Sequence, residues 1–248
     1  MKKYELTTET LQFAGRTLHR IKAVKDFDSI KAGEFGGWIE NEKNLSQDDN
    51  AWIYGEAMAF DNAKVFGNAN VFGNARVYDN ARVYDKANVY SNAVIKNNVK
   101  VHDAAEVFGN AIVCDYADVY DYAKVYDNAW VYGYAKVYDK ANVYNNANVF
   151  DYAEAYGNVR ICGNATIKGD AKVHNASDYI VFKNFWSSGR YFTWTRSNNK
   201  WSVGCFYDTG EELIKKAYAD SEKSGREYER VVRYVESILA DEKKEKSN

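Results

Sequence analysis

The chain has 248 residues and no proline. A parallel stack of strands has no use for proline, which would delete a ladder hydrogen bond. Three cysteines, Cys114, Cys162 and Cys205, are too few and too far apart for a disulfide scaffold or a metal knuckle. They fit free thiols in a reducing compartment. Histidine is as scarce, with only His19, His102 and His174. The net charge of -2 offers no general attraction to nucleic acid or to an anionic membrane. No apolar run approaches the ~18 residues that span a bilayer. Met1-Lys2-Lys3 leads into Tyr4-Glu5-Leu6, which is no signal-peptide core. The expected setting is cytosolic.

What is present is a six-residue phrase, repeated without insertion from Ala51 to Ala176. Asn74-Ala75-Arg76-Val77-Tyr78-Asp79 is followed directly by Asn80-Ala81-Arg82-Val83-Tyr84-Asp85. A small residue leads each step, and an aliphatic such as Val77 or Val83 stands two places later. Strand alternation turns these two inward and the residue between them outward. A fixed hexapeptide period means a parallel β-helix, with three short strands and three corners in each turn. Residues 18 apart then stack at about 4.8 Å, giving roughly seven turns. Abundant asparagine suits the corners, because Asn tolerates left-handed backbone. Asn74, Asn92, Asn110, Asn128, Asn146 and Asn164 fall in one column and predict an asparagine ladder.

The phrase resembles the hexapeptide-repeat proteins, although the position after the aliphatic is here mostly aromatic, as at Phe66, Tyr84 and Tyr120. The resemblance implies a left-handed parallel β-helix, assembly as a trimer or dimer, and acyltransferase or sugar-nucleotide chemistry in many members. The run from Phe27 through Gly36-Gly37-Trp38-Ile39-Glu40, with Asn44-Leu45-Ser46, is similar to a branch common in phages and prophages. So is Trp201-Ser202-Val203-Gly204-Cys205-Phe206 near the end.

Three segments are expected: an N-terminal cap at 1–50, the β-helix at 51–176, and a small α+β module at 177–248. Ile39 and Leu45 already keep the six-residue step, and a short insertion near Asp48-Asp49 separates them from Ile53. Gly36-Gly37 reads as turn chemistry. In the last segment a hairpin is predicted around Ser197-Asn198-Asn199. Thr209 with Glu212 starts a helix, Gly225 breaks it, and a second helix carries Tyr228, Val232 and Val235. The tail Glu242-Lys243-Lys244-Glu245-Lys246 reads as a frayed end.

The outward residues sort into three unlike columns. One, starting at Trp52 and Asn70, is mixed and polar. A second brings Val94, Ile112 and Trp130 together, an apolar patch that fits an oligomer interface. The third is basic, with Arg82, Lys100 and Lys136 beside the corner residues Tyr84, His102, Tyr120 and Tyr138. Cations alternating with rings are candidates for binding a small nucleotide-like ligand; the rings could equally stack on one another under lysine stems. Arg190, Trp194, Arg196 and Trp201 are candidate contacts to a partner protein, since Trp and Arg dominate interface hot spots.

No catalytic machinery stands out. Acyltransferases of this kind use a histidine near a projecting loop, and the repeat has no such loop. Three scattered histidines do not make the zinc site of the fold's carbonic anhydrases, and each reads as a surface residue. No Gly-rich phosphate loop or nucleophile elbow occurs. Neither metal nor cofactor is expected. Taken with the phage-type resemblance, this favours a non-enzymatic binding protein of the bacterial host cytosol. It would engage a host protein or sequester a small signal against host defence. The alternatives are an acyl- or sugar-nucleotide-type transferase with its site between subunits, and a structural rod or virion part.

Overall fold

A computed structural model describes residues 2–245. The chain forms two compact units, 1–176 and 177–248. Lys246 of the tail and Met1 lie outside the described residues.

The first unit is a three-sided parallel β-helix. Its rungs are two-residue strands such as Arg82–Val83 and Lys100–Val101. Lys100 pairs with Arg82 on one side and Asp118 on the other, so the turn is 18 residues and the register never slips. Two faces are seven-stranded sheets and the third belongs to a ten-stranded one. The inward Ala and Val of every rung, from Ala63 to Val173, are buried. Small beside branched side chains fill a narrow core that no single turn could close alone.

The corners work differently from the expectation. The left-handed residue is mostly Asp or Gly, as at Asp79, Asp103 and Gly133, and only occasionally Asn. The reason is axial: the Asp79 carboxylate accepts the backbone N–H of Asn97 at 3.0 Å, and Asp121 accepts that of Asp139 at 3.1 Å. A short acceptor on a left-handed residue thus ties each corner to the next turn. The asparagines follow that position, and Asn74, Asn92, Asn110 and Asn128 donate in file at 3.1–3.5 Å.

The N-terminal segment covers a flank as well as an end. β1 (Tyr4–Phe13) and β2 (Arg16–Ala23) form an antiparallel hairpin, and β3 (Phe35–Ile39) joins β2 to the first rung. Ile39 pairs with Ala59 and Leu45 with Val65, two residues further than in later rungs, which absorbs the insertion near Asp48. Trp52 is therefore not an exposed member of a polar column: Tyr4 and Phe27 meet it edge-on and it is buried. Gly36 and Gly37 lie inside β3 rather than in a turn. A Cβ on Gly37 would come within 2.5 Å of the Ala57 carbonyl, so close strand packing explains the pair.

The second unit is a four-stranded antiparallel sheet, Tyr179–Lys183, Tyr191–Thr195, Lys200–Val203 and Phe206–Asp208, in chain order. Helices α1 (Gly210–Asp220) and α2 (Glu222–Glu245) complete it. Thr209 caps α1 by accepting the Glu212 N–H. The break falls at Ser221, whose backbone is extended, and not at Gly225. Gly225 is buried within α2, where the Tyr218 ring occupies the space a Cβ would need. Glu242 takes both guanidinium nitrogens of Arg196, at 2.7 and 3.0 Å, so that part of the tail is anchored rather than frayed.

Candidate functional site

The basic–aromatic face is built by the period itself. The corner rings stack face to face: Phe66 on Tyr84 at 4.8 Å, Tyr84 on His102 at 4.8 Å, and His102 on Tyr120 at 5.2 Å. Tyr138 and Tyr156 continue the stack at 5.0 and 5.1 Å. Neighbouring planes differ by at most 7° among these rings. The rings of Tyr84, His102, Tyr120 and Tyr138 thus stack on one another, the alternative to ligand stacking, and leave no open face there for a base or sugar. Arg82, Lys100 and Lys136 project from the adjoining rungs and are exposed. Asp118 stands between Lys100 and Lys136.

His102 is not a solvated surface histidine. Only 18% of its side chain is exposed, and it has a carboxylate on each ring nitrogen: Asp118 at Nε2, 3.0 Å, and Asp103 at Nδ1, 2.9 Å. Burial pulls its pKa down, but the hydrogen bonds and charges of Asp118 and Asp103 outweigh that and hold it above the ordinary histidine value. The same corner slot holds tyrosines that reach the outward residue sixteen positions on. Tyr90 donates to Glu106 at 3.1 Å and Tyr138 to Glu154 at 3.0 Å. Burial first, and then those carboxylates, raise both phenols, Tyr90 to about 12.

Asp103 and Asp118 are the residues that sequence reasoning left out. The available signal was the sixteen-residue step from His102 to Asp118, which only the stacked register makes meaningful. Ligand atoms of Asp85, His102 and Asp103 lie within 4.8 Å of one another, so a cation could be held there if it displaced the Asp103 hydrogen bond. Beside them a cavity of about 300 Å³ is bordered by Asp85, Lys86, Asp103, Asp121 and Tyr122.

The apolar column is assembled as the period requires: Val94 pairs with Ile112 and Ile112 with Trp130. Trp130 is 47% exposed and meets the Tyr132 ring edge-on at 6.5 Å. The partner-binding expectation is corrected for the tryptophans. Trp194 and Trp201 are buried at the centre of the second unit with Phe192, Leu213 and Val232. Arg196 lies over the Trp194 ring and is bound to Glu242. Arg190 is exposed, but the rings that would have made it a hot spot face inward.

Comparison with known proteins gives two matches. A family model described as YdcK Beta solenoid repeat covers residues 75–91. A relative from Escherichia coli (strain K12), "Uncharacterized acetyltransferase YdcK", is 39% identical over 69 residues, which is 24% of this chain. The aligned stretch spans 21% of that relative's length. Both matches fit a hexapeptide-repeat β-helix. A relative named an acetyltransferase overturns the expectation of a non-enzymatic, phage-type binding protein, and it favours the transferase alternative. No helix among the described residues is long and apolar enough to cross a membrane.

Proposed function

We propose that this chain is an acyltransferase of the hexapeptide-repeat type, moving an acyl group from a thioester to an amine. The observation that carries the reading is the 39% identical stretch shared with a protein named an acetyltransferase. The geometry around His102 supplies a chemical role. Asp118 holds the Nε2–H and fixes the ring, while the Nδ1 partner Asp103 is 48% exposed and can exchange for an acceptor. An acceptor that has shed its ammonium proton to solvent attacks the thioester carbonyl; Nδ1 takes one further proton from the attacking amine and returns it to the leaving thiol as the C–S bond breaks and the amide bond forms. The carboxylates of Asp85, Asp103 and Asp121 around the neighbouring cavity favour a cationic acceptor, hence an amine over a hydroxyl. No loop projects from the rungs near His102, so the donor needs a second wall. His102 sits at the corner between the Lys100 and Glu106 rungs, across the prism from the Val94–Ile112–Trp130 face, so that wall has to come from a copy packed against the His102 corner itself.

The test is thiol release from acetyl-coenzyme A against a panel of amines. His102→Gln is expected to lose about 100-fold or more of the acceptor-dependent rate. A wild-type protein that releases no thiol with any acceptor, or a His102→Gln protein as fast as wild type, would overturn the reading. Light scattering tests the apolar column separately as an oligomer contact: Trp130→Glu should lower the mass to that of a single chain.

A further inference from the structure

Lys64, Arg82 and Lys100 stand one above another on consecutive rungs. None of the three makes an ion pair among the described residues, in contrast to Lys124 with Glu106 and Lys172 with Glu154. Further along the same column acid and base alternate, as Asp118, Lys136, Glu154 and Lys172. Like charges one strand apart repel unless something neutralises them. The repeat could have placed a carboxylate between them, as it does at Asp118, and here it does not.

The cationic run opens at its lower end onto a cavity of about 690 Å³ lined by Lys43, Ser46, Gln47, Lys64, Phe66 and Arg82. Phe66 is the first ring of the corner stack. Tyr84 covers one of its faces at 4.8 Å. In the turn below, Leu45 pairs with Val65, which places Ser46 under the ring. A serine is too small to cover a phenyl face, so that face looks into the cavity. Glu42 at the rim is neutralised by Lys2 at 2.5 Å. Asp48, also lining the cavity, leaves an acceptor for a sugar hydroxyl.

We propose that this cavity is a nucleoside diphosphate site: the base stacks on the free face of Phe66, and the phosphates lie along Lys64, Arg82 and Lys100. A flat ring with a linked pair of phosphates satisfies both features together, because cations on rungs about 4.8 Å apart can share the oxygens of neighbouring phosphates, whereas a simple anion uses only the cations. The nucleotide is either free or the end of a larger carrier. The site does not depend on acyl transfer, and His102→Gln should bind the nucleotide as wild type does, so the two readings fail separately.

Calorimetry of the full chain with ADP and with inorganic pyrophosphate tests it. ADP should bind saturably and about tenfold or more tighter than pyrophosphate. Arg82→Ala should weaken ADP by about tenfold. Phe66→Leu should remove the advantage of ADP over pyrophosphate while leaving pyrophosphate binding in place. Lys136→Ala, a cation higher in the same column, should change nothing. Coenzyme A that displaces ADP supports the end of a carrier, and ADP that resists displacement supports a free nucleotide. ADP that binds no better than pyrophosphate, or equally well to Phe66→Leu and wild type, overturns the proposal. So does a Lys136→Ala loss as large as that of Arg82→Ala.

Discussion

The His102 imidazole meets the Asp118 carboxylate at 3.0 Å, sixteen residues further along the chain. The step is the one that joins Tyr90 to Glu106 and Tyr138 to Glu154. A structural slot of the repeat has been filled with a titratable ring, and its charge has consequences for stability as well as for chemistry.

Because the folded His102 pKa lies above the ordinary value of about 6.5, its stabilising effect is fully present below that pH. It is lost as pH rises through the folded value. His102→Gln should therefore cost about 0.5–1 kcal/mol near pH 5.5 and much less near pH 9, read by urea denaturation at each pH. Equal losses at both would mean that the two carboxylates contribute no charge-dependent stability. The same shift places the alkaline rise of catalysis by His102 above the usual histidine range.

Burial first, and then nearby carboxylates, push Tyr90 and Tyr120 up to about 12. A raised acid stabilises the fold below its unfolded pKa, near 10, and loses that contribution as pH climbs through the folded value. The β-helix should therefore lose stability on the alkaline side, and the Tyr120 share of the phenolate absorbance, read as wild type minus Tyr120→Phe, should appear together with the loss of β signal. Tyr120→Phe should match wild type at neutral pH and outlast it near pH 11.5. A Tyr120→Phe protein that unfolds at the same alkaline pH as wild type would contradict this.

Asp79 combines a positive φ of 58° with a carboxylate that accepts both the backbone N–H and the side-chain amide of Asn97. Asp79→Ala loses the acceptor and keeps the strain, a cost of about 2 kcal/mol. Asp79→Gly relieves the strain only and should fall between Ala and wild type. Thermal melts of the three proteins check the order; an alanine variant no worse than glycine would remove the strain argument.

Gly225→Ala drives a methyl group into the Tyr218 ring, and neither helix can back away without opening the contact between α1 and α2. The expected loss is about 1–3 kcal/mol, an overpacking cost. If Gly225 were a helix breaker, alanine would instead stabilise α2. Hydrogen exchange across α2 tells the two apart by sign.

Much of the first unit was legible because its period carries its own register. Once Ala81 and Val83 point inward, the partner of Arg82 must lie 18 residues away, and the stacking of Tyr84 on His102 follows without knowledge of anything distant. The columns of Val94, Ile112 and Trp130 and of Arg82, Lys100 and Lys136 were readable for the same reason. What those columns do was not. Whether rings offer faces or cover one another depends on plane orientation, and whether His102 is solvated depends on two carboxylates that sequence distance does not mark.

Outside the repeat the chain reverses direction, and contacts are set by packing between segments with no shared spacing. That is why Trp52 is buried under Tyr4 and Phe27 although its column reads as polar. It is also why Trp194 and Trp201 turn inward and why Gly225 serves packing rather than a break. The sequence by itself determined the β-helix, its turn length and the membership of its faces, because a strict period makes long-range pairing a local property. The tertiary structure alone decided which charges meet, which rings keep a free face and where the cavity beside Phe66 opens, because those depend on how unlike segments close upon the stack.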